Sequence, residues 1–76
     1  MTSENTPTWE QYRDGIIRKK SVKLKLTATI IPDVATNTFD AYVKNIKEGL
    51  ERNKLSILDL DTAKNWCDNQ WVEMSQ

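Results

Sequence analysis

Residues 21–31 read SVKLKLTATII, and this stretch decides the fold that the sequence predicts. Apolar and polar side chains alternate along it, which is the pattern of a β-strand with one buried face and one wet face. The pair Pro32-Asp33 ends the predicted strand, because proline has no N–H to donate to a neighbouring strand. The predicted buried set is Val22, Leu24, Leu26, Ala28 and Ile30, and the outward set is Lys23, Lys25, Thr27 and Thr29.

Two helices are predicted, one before this strand in the sequence and one after it. The first begins at a threonine cap, Thr6 or Thr8, and either stops near the turn signal Asp14-Gly15 or continues to about residue 19. The second begins at Asn37 or Thr38 and continues to about residue 50. Its apolar residues recur at the spacing of one helical face. They are Phe39, Tyr42, Val43, Ile46 and Leu50.

A third helix is predicted near the C-terminal end of the sequence, capped by Ser56, Asp59 or Asp61. Its apolar face is about as wide as a core-facing stripe. Its two tryptophans are five positions apart, about 140° around a helix, so they cannot both point to the centre of one narrow stripe. Either both belong to the core, or one is half exposed and anchors an interface. The residues on that face are Ala63, Trp66, Cys67, Gln70, Trp71 and Met74.

These elements predict a small single α+β domain in residues 8–76, preceded by a flexible tail in residues 1–7. In this fold one principal strand carries two to three helices on its apolar face. The backbone of that strand needs a partner, either residues 55–60 or the same strand of a second copy. A homo-oligomer with the strand or the C-terminal helix at the subunit boundary is the prediction, because a core of this size supplies little stability.

No catalytic chemistry is predicted. The chain has no histidine, which removes the usual general base and the commonest metal ligand. Cys67 has no second cysteine and lies on an apolar helical face, and Asp59 and Asp61 are interpreted as helix caps. We therefore expect no enzyme activity, cofactor or metal site. The sequence also shows no secretory signal or membrane span, so a cytoplasmic protein without membrane contact is expected.

Charge is distributed unevenly although the net charge is zero. Residues 13–31 carry six cationic side chains and one aspartate, a net charge of +5, whereas residues 56–76 have a net charge of −3. Either the two regions neutralise each other, or the basic region binds a protein partner with an acidic surface. The candidate partner-binding residues are Arg18, Lys19, Lys20, Lys23, Lys25, Thr27 and Trp71.

The functional hypothesis is a non-catalytic protein-interaction or regulatory module, such as a small inhibitor, adaptor or assembly subunit. A strand followed by two helices is also the order of elements in ribbon-helix-helix DNA-binding dimers, and Lys and Thr side chains contact bases and phosphates. The sequence departs from that arrangement because the distance from Pro32 to Ser56 is about two helical turns too long and the last helix is acidic. A dimeric DNA-binding regulator is therefore the alternative hypothesis.

Overall fold

The structure is a computed structural model that describes residues 8–75. These residues form five antiparallel β-strands in one sheet and a single α-helix. A short 3-10 turn, Arg13–Gly15, connects the first two strands. The elements are β1 (Glu10–Gln11), β2 (Ile17–Ser21), β3 (Leu26–Asp33), β4 (Thr38–Asn45), β5 (Leu50–Ile57) and α1 (Leu60–Met74).

The sheet is a meander, because each strand pairs with the strands next to it in sequence. Tight connections make this possible, and each contains a residue with positive φ. Gly15, which ends the 3-10 turn, has a φ of 78°, and a Cβ added there would lie 3.1 Å from Cγ of Pro32. Glycine therefore suits this position for both its conformation and its lack of a side chain.

Helix α1 packs against one face of the sheet and completes the core. Its first turn is fixed by Asp59, whose carboxylate accepts a hydrogen bond from the backbone N–H of Thr62 at 2.8 Å. At its other end, the side-chain amide of Asn45 donates to the carbonyl of Met74 at 3.2 Å. The buried cluster is Ile17, Leu26, Ala28, Ile30, Ala41, Val43, Ile57, Ala63, Cys67, Trp71 and Met74.

The α+β prediction of one principal strand with two to three helices is wrong, since the sheet dominates the fold. The strand predicted at residues 21–31 is interrupted in its first half. Residues 22–25 form a turn, and Lys25 has a φ of 57°, so the alternation does not continue through it. As a result Val22 is 78% exposed, whereas Leu26 is fully buried.

The first two predicted helices are also wrong. The segment expected to hold the first contains β1 and the 3-10 turn, with Asp14-Gly15 reversing the chain as a turn signal would. The second predicted helix is β4 and the turn that follows it. There Ala41 and Val43 are buried with a period of two, which the helical interpretation of Phe39, Tyr42 and Val43 overlooked.

Pairing of the principal strand across an oligomer is not required by this fold. Strand β3 lies between β2 and β4 of the same chain, so neither of its edges needs a second copy. The expected packing of the principal strand against the second helix is replaced by side-by-side pairing within the sheet, with α1 as the cover. The homo-oligomer stays a prediction, but the need to pair the principal strand no longer supports it.

The prediction of a C-terminal helix is confirmed, with Asp59 as its cap among the three candidates. Four of its predicted apolar residues are buried, namely Ala63, Cys67, Trp71 and Met74. In residues 8–75, no helix has the length and apolar character needed to cross a membrane. The predicted tail at residues 1–7 lies outside the described residues.

Candidate functional site

The two faces of the sheet have different surroundings. Directly opposed residues of antiparallel strands point to the same face, so the register assigns each side chain to one face. Side chains paired with Leu26, Ala28 and Ile30 lie on the face that α1 covers. The opposite face is covered by none of the elements in residues 8–75, and we call it the open face.

Two rows of paired residues form the centre of the open face. In the first row, Arg18 of β2 lies opposite Thr29 of β3, which lies opposite Tyr42 of β4. The adjacent row contains three more residues from the same strands, and its end residues are both cationic. This row is Lys20, Thr27 and Lys44.

Tyr12 adds a second aromatic ring to the open face. The guanidinium carbon of Arg18 lies 5.0 Å from the centre of the Tyr12 ring, a cation–π contact. The backbone N–H of Tyr12 donates to the carbonyl of Ile16 at 2.7 Å, which holds the residue at the start of the 3-10 turn. Tyr12 is 47% exposed, so it offers area to a ligand while it orients the arginine.

The cations of the open face have no ion-pair partner among residues 8–75. The two salt bridges in this part of the chain are Lys19 with Asp68 and Arg52 with Glu73, and both lie on the helix side of the sheet. The open-face carboxylates belong mainly to the outer strands, where Glu10 pairs with Arg18 in register and Glu51 with Lys44, without ion-pair contact. Asp40 instead accepts from the backbone N–H of Ser56 at 3.1 Å.

The predicted site residues do not all come together. Arg18, Lys20 and Thr27 lie on the open face, while Lys23 and Lys25 lie in the exposed turn between β2 and β3. A shallow cleft beside that turn is lined by both charged and apolar side chains. It includes Lys20, Ser21, Val22, Lys25, Thr27 and Ile46.

Lys19 and Trp71 lie on the covered side and contact each other there. The Lys19 ammonium lies 4.6 Å from the Trp71 ring centre and 5.3 Å from that of Trp9, and it forms an ion pair with Asp68. The Lys19 side chain is only 12% exposed, and Trp71 is 8% exposed. Both therefore join the N-terminal strand region to α1 and are not part of the open face.

Three open-face residues were missed from the sequence: Tyr12, Tyr42 and Lys44. All three lie in segments predicted as helices, and a helical prediction does not tell which face of the sheet a side chain lies on. The signal that identifies two of them is the alternation of residues 38–45, TFDAYVKN. In a strand this alternation places Tyr42 and Lys44 on one face of the sheet and Ala41 and Val43 on the other.

The groups considered for catalysis have structural positions. Cys67 is fully buried, and desolvation raises the pKa of its thiol to about 12, so it is neither exposed nor ionised near neutral pH. The pKa of Asp59 is lowered by hydrogen bonds from the Thr62 N–H and hydroxyl, as a helix cap requires. In residues 8–75, no three metal-binding side chains of His, Cys, Asp or Glu lie close together.

No protein-family model, curated protein or solved structure matches this chain.

Proposed function

We propose that this protein is a non-catalytic binding module that holds a negatively charged partner against the open face. The partner proposed from the sequence, a protein with an acidic surface, and the alternative, DNA, share this charge. An inhibitor, adaptor or assembly subunit would use such a surface in a regulatory role. The observation that carries the proposal is the central placement of Arg18, Lys20 and Lys44 without ion-pair partners in the described residues.

Rigid placement supports a binding role for these cations. Each is carried by a strand that is paired on both sides or anchored to the core, so little ordering of the backbone is needed on binding. Arg18 is further oriented by its contact with Tyr12. The hydroxyl groups of Thr27, between Lys20 and Lys44, and of Thr29, next to Arg18, can donate hydrogen bonds to an oxyanion.

The DNA alternative loses its structural basis, because the chain does not have the ribbon-helix-helix arrangement. Its described residues form a five-stranded sheet and one α-helix. The chemical basis of that alternative is independent of the fold. Lys and Thr side chains on a sheet face contact phosphates in any architecture that exposes them.

Retention on immobilised heparin tests the proposal with a defined polyanion. The variant Lys20→Glu with Lys44→Glu reverses two charges on the open face. The control, Lys54→Glu with Lys64→Glu, makes the same change elsewhere, since Lys54 lies opposite the buried Ala41 and Lys64 is on α1. We expect the first variant to elute at a much lower salt concentration than the control, with similar melting temperatures for both.

Equal loss of retention in the two variants would contradict the proposal, because it would show that heparin senses only net charge. Polyglutamate as a competitor represents an acidic protein surface in the same assay. Displacement of the wild-type protein by polyglutamate, but not of the open-face variant, would favour the protein partner.

A further inference from the structure

We propose that the partner of the open face is a single strand of nucleic acid. This inference rests on the proposed function and names the chemistry of the partner. It is carried by the combination of two aromatic rings with three cations on the open face, which no element of residues 8–75 covers, Tyr12 and Tyr42 with Arg18, Lys20 and Lys44.

The polar groups of the open face are those that bind a sugar-phosphate backbone. Phosphate contacts in complexes of proteins with nucleic acids come mainly from Arg, Lys, Ser, Thr, Asn and Tyr side chains. The row of Arg18, Thr29 and Tyr42 continues to Asn53 on β5, so it contains four of these residue types in sequence across the sheet.

The aromatic rings provide a surface on which bases can stack. A ligand that consisted of phosphate alone would not need them. Tyr12 contacts Arg18, and Tyr42 lies two strands away from Arg18 in the same row. Two strand spacings amount to about 10 Å. That distance separates Arg18 from Tyr42, and Tyr12 adjoins Arg18 at the β1 edge. Bases of an extended strand can each stack on one ring while a phosphate between them contacts Arg18 and neighbouring phosphates reach the lysines of the adjacent row.

A protein partner fits the open face less well. The centre of a protein interface is depleted of charged residues and enriched in apolar and aromatic ones. On strands β2 to β4 the large aliphatic side chain of the open face is Ile31, which lies at its end opposite Asp40 and is 38% exposed. The exposed Val22 and Ile46 lie in the turns at the other end, beside Lys20, and not at the centre.

The three cations lie on β2 and β4 on either side of the two threonines, with the carboxylates Glu10 and Glu51 on the outer strands, so positive charge is confined to the centre of the face. A polar, cationic centre is typical of interfaces with nucleic acids.

The width of the sheet favours a single strand over a duplex. The four long strands β2 to β5 span about 14 Å between the outer strand axes. The major groove of a DNA duplex is about 12 Å wide and admits a helix or a two-stranded ribbon. The central rows of this sheet therefore cannot reach paired bases, whereas unpaired bases can lie flat on them.

Fluorescence anisotropy with labelled 15-nucleotide oligo-dT and oligo-rU measures this binding directly. We expect saturable binding to at least one of them and weaker binding to a duplex of equal length. Three cations that neutralise three phosphates should give a slope of about −2 in a plot of log affinity against log salt concentration.

Two matched variants test the stacking role of the rings. Tyr12→Leu with Tyr42→Leu removes both rings and should weaken oligonucleotide binding about tenfold or more. Tyr12→Phe with Tyr42→Phe keeps the rings and should stay within about twofold of wild type, since base stacking needs the ring and not the hydroxyl. Circular dichroism and thermal melting of both variants establish that they fold.

The possible results separate this inference from the proposed function. Binding of heparin through the open face, with oligonucleotides bound no better than polyglutamate or unaffected by the leucine changes, overturns the nucleic-acid inference and leaves the proposed function in place. Tighter binding of the duplex overturns the single-strand assignment. If neither heparin nor any oligonucleotide distinguishes the open-face variant from its control, both proposals fail.

Discussion

The covered and open faces of the sheet are built from the same strands but have opposite compositions. On β3, the fully buried Leu26 and Ala28 alternate with Thr27 and Thr29, which are half-buried on the open face. An antiparallel sheet of this kind keeps its core on one side and its contact with solvent or ligand on the other. Stability and recognition are therefore separable by single substitutions on neighbouring residues.

Leu26→Ala should show the largest difference between the faces. Leu26 is fully buried beneath α1, and removal of such a side chain costs about 2–5 kcal/mol of unfolding free energy. The neighbouring change Thr27→Ala, on the open face, should cost under about 1 kcal/mol. Urea unfolding of both variants measures the two values, and equal costs would contradict the assignment of faces.

Lys19 and Lys20 provide a smaller and more specific comparison. Lys19→Ala removes an ion pair and two cation–π contacts from a largely buried side chain, and we expect a loss of about 1–2 kcal/mol. Lys20→Ala, on the open face, should leave the melting temperature nearly unchanged but reduce retention on heparin. The reverse pattern would show that Lys19 belongs to the binding surface, as the sequence suggested.

The helix cap gives the smallest effect, and it depends on pH. The pKa of Asp59 is lower in the folded chain than its ordinary value, so its charge stabilises the fold above about pH 4 and this contribution is lost as the pH falls through the folded-state pKa. The control Asp59→Ser keeps a capping oxygen without a titratable group. Wild type should melt above this variant at neutral pH, and the difference should vanish in acid.

Part of the fold could be predicted from the sequence. The alternation from Leu26 to Ile30 and the capped helix after Asp59 are strong local signals, and both agree with the structure. The turn at residues 22–25 contains neither Gly nor Pro, and its apolar Val22 and Leu24 continue the alternation by coincidence. The local pattern therefore predicts one continuous strand where the structure has a turn at residues 22–25 followed by β3.

The candidate site could be predicted only in part for the same reason. The basic segment was recognised from charge, and Arg18, Lys20 and Thr27 do lie on the open face. Lys19 lies on the covered face while Arg18 and Lys20 lie on the open face, and only the strand register shows this difference. A segment predicted as a helix, or left unassigned, has no register. Tyr42 and Lys44 join the site through pairing between β3 and β4, a contact that no single segment of sequence reveals.

The position of α1 at the end of the meander has a consequence for how the chain folds. All neighbouring strands are joined by short connections, so the hairpins can form locally and early. Their shared apolar face nevertheless has no cover until the helix docks, and the helix contributes to the core as far along as Met74. During synthesis the strands emerge first. We expect a chain ending at residue 59, which lacks the whole helix, to expose this face and aggregate, which light scattering would detect, so that synthesis of the helix decides when the core of the sheet is covered.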